Sequence, residues 1–291
     1  MPPSPEGARF LAPAKINLAL HVTGGRADGF HELDTIAVFA DLGDRLSVSP
    51  ASDLSIEVEG PFAGHAPADD GNLALRAARA LSVADAHPGT RGAKLRLRKA
   101  IPAGAGFGGG SADAAATLRL LDGLWRLGAT DRALAGIAAA IGADVPMCLA
   151  GKALRARGRG DRITPIEGWP ALPLVLAWPG VQVSTAAVFA ALDRRENPPL
   201  PEPQGARTAA DVARYLEGCR NDLEAPALAI APAISTALER LRSMPGCLLA
   251  RMSGSGSGCF GLYPTREAAD AAAQAIRVAE PAWWARRVMA R

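Results

Sequence analysis

The run PAGAGFGGGS at 102–111 places Gly104, Gly106, Gly108, Gly109 and Gly110 just ahead of Ser111 and an alanine-rich segment. Glycine tolerates positive φ and lets backbone approach a ligand closely, so several amides can converge on one anion. Phosphate is the natural guest if a helix begins there, because the positive end of a helix favours negative charge. A flexible connection is the plainer alternative, although such linkers rarely run straight into a helix. The pattern G-x-G-x-x-G is met from Gly104 to Gly109 and again from Gly256 to Gly261, and alone either match is weak. A dinucleotide fold would want a buried hydrophobic strand before the loop and an acidic residue about twenty positions on. Here LRLRK and Pro102 precede it, and Asp122 and Asp131 fall in helical segments. A P-loop needs Gly-Lys followed by Ser or Thr, whereas Gly151-Lys152 is followed by Ala153.

Other residues could supply the remaining chemistry of phosphoryl transfer, namely a cation for developing charge and an acidic group near the attacking hydroxyl. Lys15 lies on the polar face of an alternating strand, as a solvated residue or as that cation. Asp144, in IGADVPMCLAG, is either part of a turn after a helix, anchored by Pro146, or a general base or metal holder. Phe30 and His31 follow Gly29 in a turn and could stack on and read a base, or serve as core and surface residues. The second glycine run, SGSGSG at 253–258, reads as a strand-to-strand hairpin or as a second binding loop.

These residues must be held by strands and helices whose pattern is visible. Ile16, Leu18, Leu20 and Val22 alternate with Lys15, Asn17, Ala19 and His21, which predicts a strand with one apolar face. Further strands are expected at His31–Phe39, Arg45–Ser49 and Leu54–Val58, continuing an antiparallel meander, and at Lys94–Arg98. Helices are expected at Asn72–Leu81, Ala112–Leu127 and Asp131–Ile141. Charged residues gather at Arg155–Arg162, near which the domain boundary is placed, giving domains 1–160 and 161–291. Beyond it the pattern predicts strands at Leu174–Trp178, Cys247–Met252, Cys259–Tyr263 and Ala285–Ala290. Helices are predicted at Thr185–Leu192, Ala209–Glu217, Ala233–Ser243 and Thr265–Val278. The proline-rich ENPPLPEPQG at 196–205 reads as an extended surface loop. Strand runs and helix pairs without regular βα alternation indicate α+β for both halves.

Composition narrows the function. The chain has 291 residues, 49% hydrophobic and 21% charged, enough to fill two cores and too apolar for a disordered chain. A net charge of +3, with lysine confined to Lys15, Lys94, Lys99 and Lys152, argues against a nucleic-acid partner. Cys148, Cys219, Cys247 and Cys259 form no C-x-x-C pair and read as reduced thiols, so no metal set is assigned. MPPSPEGARF lacks the apolar region of a secretory signal, and Ala133–Gly151 is interrupted by Asp144 and Pro146, so a cytoplasmic enzyme without a membrane partner is expected.

Five motifs in order, PAKINLAL (13–20), GFHEL (29–33), IPAGAGFGGGSADAA (101–115), GADVP (142–146) and SGSGSGCF (253–260), resemble the GHMP kinases. The resemblance implies a two-domain α+β architecture, with an N-terminal nucleotide-binding domain, a C-terminal ferredoxin-like substrate domain and a cleft between. It implies ATP and Mg2+ as cofactors. The triphosphate would lie against Pro102, Ala103, Gly104, Ala105, Gly106, Phe107, Gly108, Gly109, Gly110 and Ser111, with Asn72 near the base. Asp144 would take the substrate proton, paired with Lys15, while Asn17 contacts substrate and Ser253, Gly254, Ser255 and Gly256 line its site. GFHEL is similar to the GYHEL of members whose alcohol carries cytidine diphosphate; there an aromatic stacks on cytosine and His bonds its edge, with Phe189 closing the sandwich. Phe30 keeps the ring of that tyrosine and loses its hydroxyl. The implied reaction is phosphorylation of the 2-hydroxyl of a cytidine-diphosphate-bearing methylerythritol in non-mevalonate isoprenoid synthesis. Another GHMP kinase, acting on mevalonate, homoserine or a sugar, and an NAD(P)-dependent oxidoreductase are the alternatives. Asn221 and Asp222 match a family pair to which no role is given, and neither the oligomeric state nor the Mg2+ ligands are legible.

Overall fold

The computed structural model describes residues 9–27, 29–84, 91–203 and 205–291. Residues 1–8 of MPPSPEGARF, Asp28 of the GGRADGF turn and Gln204 of the proline-rich run lie outside them. The chain begins with β1 (Arg9–Gly25), β2 (His31–Ala51), β3 (Leu54–Glu59), α1 (Leu73–Ala84) and β4 (Gly92–Arg98). Three helices follow, α2 (Gly109–Trp125), α3 (Asp131–Ile141) and α4 (Val145–Ala150), then β5 (Leu154–Gly158), β6 (Arg162–Pro165) and β7 (Leu172–Trp178). The remainder comprises α5 (Thr185–Ala190), α6 (Ala209–Glu217), α7 (Glu224–Ile230), α8 (Ala233–Arg242), β8 (Leu249–Met252), β9 (Cys259–Leu262), α9 (Arg266–Ala279) and β10 (Trp284–Ala290).

Helix starts are well specified. Thr130 accepts from the Ala133 amide ahead of α3, Thr265 accepts from Ala268 ahead of α9, and Thr208 and Asp211 form a reciprocal capping box on α6. Each cap satisfies donors that a helix end otherwise leaves open.

Several expectations are corrected. The two strands expected at 31–39 and 45–49 are one, β2, which changes partner along its length: Leu33–Ala37 pair with β5 and Arg45–Ala51 with β4. The meander is not antiparallel throughout, because β3 pairs parallel with β4 after the crossover through α1. The charged run 155–162, near which the domain boundary is expected, lies within a β5–β6 hairpin. Helices α4 and α7 were not anticipated; both are short and carry proline in the first turn, where its missing N–H costs nothing. Among the described residues no helix is long and apolar enough to cross a membrane, and the stretch 133–151 is split into α3 and α4.

The chain folds into two compact units that interleave in sequence. The first comprises residues up to 14, 42–103 and 108–151. In it β3, β4 and the second part of β2 form a sheet, and Leu46, Val48, Leu95 and Leu97 are buried together with Leu75, Leu81, Leu118 and Leu121 of α1 and α2. The second comprises 15–41, 104–107 and 152–291. Its sheet runs from the first part of β2 through β10, β7 and β9 to β8. Its core gathers Val22, Val175, Val188, Ile234, Leu238, Tyr263 and Ile276.

Candidate active site

In the first unit, α2 begins on Gly108, a left-handed residue at φ 64°. Ala112 donates to the Gly108 carbonyl at 2.9 Å, so the amides of Gly109, Gly110 and Ser111 precede the first helical bond and have no intrahelical acceptor. Seventeen residues of helix stand behind them, and Gly110 is exposed. Three open amides at a positive helix end suit an oxyanion.

A buried ionic cluster lies against that turn. Lys99 Nζ donates to Asp44 Oδ2 and, at 2.8 Å, to Asp113 Oδ2 of α2. Asp44 Oδ1 accepts from the Ala100 and Ile101 amides at 2.6 and 2.9 Å. Burial works to lower the Lys99 ammonium, but the two carboxylates outweigh it and hold its pKa above the ordinary value. No sequence signal identified this cluster, because Asp44 in β2, Lys99 just after β4 and Asp113 in α2 come from three separate segments.

Asn72 is buried directly before α1. Its Nδ2 donates to the Pro67 carbonyl at 2.7 Å and its Oδ1 accepts from the Ala74 amide at 2.9 Å, so the side chain is already engaged in starting the helix. Asp144 is half-buried at the N-cap of α4, with the Cys148 amide donating to its carbonyl at 3.1 Å. It therefore opens a helix, where the sequence suggested the turn that closes one.

The second unit ties its two glycine runs together. Gly258 donates to the Ala105 carbonyl at 2.9 Å, and Ser253 Oγ donates to the Gly106 carbonyl at 3.0 Å. Gly106 has φ +75°, and a Cβ there would stand 2.4 Å from the Ser253 carbonyl, so only glycine fits the crossing. Ala105 and Phe107 are buried, the Phe107 ring tilted against Trp284 at 5.8 Å, so their side chains pack beneath the loop. The SGSGSG turn is thus a built partner of the first loop, which a plain hairpin would not be.

Lys15 and Asn17 are buried, so the face expected to be solvated is closed. The Lys15 amide donates to the Phe107 carbonyl at 2.9 Å. Asn17 is held by two bonds, its amide donating to Ser253 Oγ at 3.1 Å and its Nδ2 to Thr35 Oγ1 at 2.8 Å, and Thr35 Oγ1 in turn donates to the Ala19 carbonyl at 2.6 Å. Its Oδ1 is buried without a hydrogen-bond partner among the described residues, a costly state that a bound donor would relieve. Asn221 acquires a role here, since its Nδ2 donates to the Met252 and Gly254 carbonyls at 2.9 and 2.8 Å and so shapes the second loop. Asp222 accepts from the Val22 amide at 2.8 Å.

His31 stacks on Phe189 with centroids 4.8 Å apart and planes 26° off parallel. Burial lowers the His31 pKa, and the Arg195 charge adds to that, so the ring is neutral near pH 7. Phe30 is exposed, with the Arg159 guanidinium 4.0 Å above its ring. The ring stacked on Phe189 is therefore that of His31 rather than Phe30. Thr185 and Ser255 hydroxyls meet at 2.8 Å nearby on α5 and the second loop.

The same architecture occurs in known proteins. Residues 72–152 match the family described as GHMP kinases N terminal domain, and residues 206–280 match GHMP kinases C terminal. A 4-diphosphocytidyl-2-C-methyl-D-erythritol kinase of Cereibacter sphaeroides is 51% identical over 278 residues, covering 94% of this chain and 96% of that protein. A Methylorubrum extorquens protein of the same name is 49% identical over 279 residues, covering 94% and 95%. A crystal structure of a 4-(cytidine 5'-diphospho)-2C-methyl-D-erythritol kinase superposes with TM-score 0.78 at 36% identity, covering 97% of this chain and 99% of that one. Likeness of this extent in sequence and in fold means that the chain belongs to the GHMP kinase family.

Proposed function

We propose that this protein is an ATP-dependent kinase that phosphorylates the 2-hydroxyl of 4-diphosphocytidyl-2-C-methyl-D-erythritol, a step of isoprenoid precursor synthesis outside the mevalonate route. The observation that carries the reading is the 51% identity, over nearly all of both chains, to a kinase of that name. The open amides of Gly109, Gly110 and Ser111 suit the triphosphate, and the rest of the run from Pro102 to Gly108 serves as its scaffold. Asn72 stands by the adenine.

Asp144 is the base that accepts the substrate hydroxyl proton, and Lys15 supplies the positive charge that orients the hydroxyl and favours its ionisation. Asn17 offers its free oxygen to a substrate hydroxyl. Phe30 and Phe189 provide faces for cytosine, neutral His31 a hydrogen bond to its edge, and Ser253, Gly254, Ser255 and Gly256 backbone and hydroxyl contacts to the substrate. Among the described residues no three His, Cys, Asp or Glu gather in a metal-binding cluster. Mg2+ would be held there chiefly by phosphate oxygens and water. When bound, it would supply positive charge against the phosphoryl group being transferred. The nucleotide and substrate domains placed at 1–160 and 161–291 follow the two matched family segments, 72–152 and 206–280, while the compact units of the fold exchange 15–41 and 104–107 across that division.

The test is ADP release with the cytidine-bearing alcohol, with the same alcohol phosphate lacking cytidine, and with mevalonate and homoserine. Turnover with the first alone is expected. Equal turnover with the cytidine-free alcohol, or preference for mevalonate or homoserine, removes the assignment.

A further inference from the structure

The Asp44, Lys99 and Asp113 side chains form a buried set of two acids and one base. Fully ionised, the set carries one uncompensated negative charge, which is costly away from water. The two acids are not equivalent. Asp44 has two backbone amides on Oδ1 and Lys99 on Oδ2, whereas Asp113 has Lys99 on Oδ2 and no hydrogen-bond partner among the described residues on Oδ1. Asp44 is therefore the ionised member, and the odd proton belongs to Asp113.

We propose that Asp113 is a positioning residue that couples nucleotide binding to proton uptake, its neutral carboxyl letting the first turn of α2 accept the negative charge of a polyphosphate. The inference rests on reading that turn as the phosphate seat. Gly109 supplies the geometry, since a Cβ there would stand 3.3 Å from both Asp44 Oδ2 and Lys99 Nζ, and no side chain separates the cluster from the turn. Burial raises the Asp113 pKa most, the Asp44 charge adds to it, and Lys99 opposes, leaving it at about 7.

The charged neighbours on Asp113 come from β2 (Asp44) and the segment after β4 (Lys99). Of the helices packed on α2, α1 carries Arg76 and Arg79 and α3 carries Asp131 and Arg132, all exposed; α4 contributes the Cys148 thiol and half-buried Asp144 at its cap. A polyphosphate seated on the amides of Gly109–Ser111 raises the proton affinity of the carboxyl, and by reciprocity the protonated carboxyl favours the anion. A group half-protonated near pH 7 can take up at most about half a proton.

Calorimetry of MgADP binding at each pH in two phosphate-free buffers whose ionisation enthalpies differ, such as MES and Bis-Tris at the acid end and HEPES and Tris at the alkaline end, measures the uptake directly. Wild type is expected to take up about 0.3–0.5 proton at pH 7, fading toward pH 5.5 and 8.5, and Asp113→Asn to lack this component. The KM for ATP of wild type should rise several-fold from pH 6 to pH 8, and that of Asp113→Asn should stay level. Equal binding enthalpies in both buffers across the wild-type pH series overturn the proposal, even should the variant fail to fold. So does an uptake unchanged in the variant. Absence of any MgADP binding removes the nucleotide reading of the turn as well, which distinguishes the two failures.

Discussion

Arg155 and Asp34 form a two-pronged ion pair in the second unit, with Nε donating to Oδ1 at 2.7 Å and Nη2 to Oδ2 at 2.6 Å. Both side chains are buried. The pair clasps the proline-rich run, because the Leu200 amide donates to Asp34 Oδ2 at 3.0 Å and its carbonyl accepts from Arg155 Nη2 at 2.7 Å. Leu200 itself is 3% exposed, so the segment expected to lie loose on the surface is fastened at its centre. Tyr215 adds a bond from its hydroxyl to the Pro201 carbonyl at 2.7 Å.

Removing one member of such a pair leaves the other charged and buried, which costs about 3–5 kcal/mol, whereas removing both costs much less. Arg155→Met is expected to lose that amount in urea unfolding, and Asp34→Asn combined with Arg155→Met to recover a large part. A single variant within about 1 kcal/mol of wild type would show that the clasp contributes little.

Asp144→Asn keeps the shape of the side chain and removes the base. Turnover is expected to fall by about two to four powers of ten while the nucleotide dissociation constant stays within about twofold, since the base acts only as the proton moves. Lys15→Ala should show the same split between turnover and binding. Equal losses in both quantities would mean that these residues hold the site together rather than act in it.

The alternation of β1, the helical runs of α3 and α6, and the glycine run that feeds directly into α2 were legible because each is a local pattern. Burial of the second face of β1 was not, since Lys15, Asn17 and His21 look like solvent-facing residues until the chain around them is placed. The same limit hid the clasp. Arg155 reads as part of a charged surface run, and only its pairing across β2 and β5, with Asp34 next to Leu33, turns it inward. His31 against Phe189 and Asn221 under the second loop likewise depend on contacts between distant segments, for which neither periodicity nor composition carries a signal. The contacts that GFHEL makes, His31 on Phe189 and Arg159 over Phe30, are set by packing of segments distant in sequence.

Phe189→Ala tests the base-binding face. Stacking of a base on an aromatic side chain contributes about 1–3 kcal/mol, or about five- to 150-fold in affinity. The KM for the cytidine-bearing alcohol is expected to rise within that range, with the KM for ATP unchanged. An unchanged KM for the alcohol would show that the base lies elsewhere.

His21 makes the fold sensitive to acid. Its ring is buried, with Nε2 accepting from the Arg220 amide at 2.9 Å, so the hydrogen is on Nδ1 and is donated to the Pro198 carbonyl at 2.8 Å. Burial, aided by the nearby Arg220 charge, lowers its pKa against the opposing pull of the Pro198 carbonyl. A second proton would destroy the Nε2 acceptor and set two donors against one another. Below about pH 6.5 the unfolded chain binds this proton and the folded one resists it, so stability is full above that pH and falls as pH drops toward the lowered folded value. The loss is bounded by about 1.4 kcal/mol per pH unit for one group. His21→Gln is expected to be less stable than wild type at pH 8 through its lost bonds, yet to lose less stability between pH 7 and pH 5. Neutral His31 contributes a similar slope in both proteins, so only the difference between them reports on His21. Parallel curves of unfolding free energy against pH for the two proteins would show that His21 is protonated without cost and that its bonds to Pro198 and Arg220 do not hold the neutral ring.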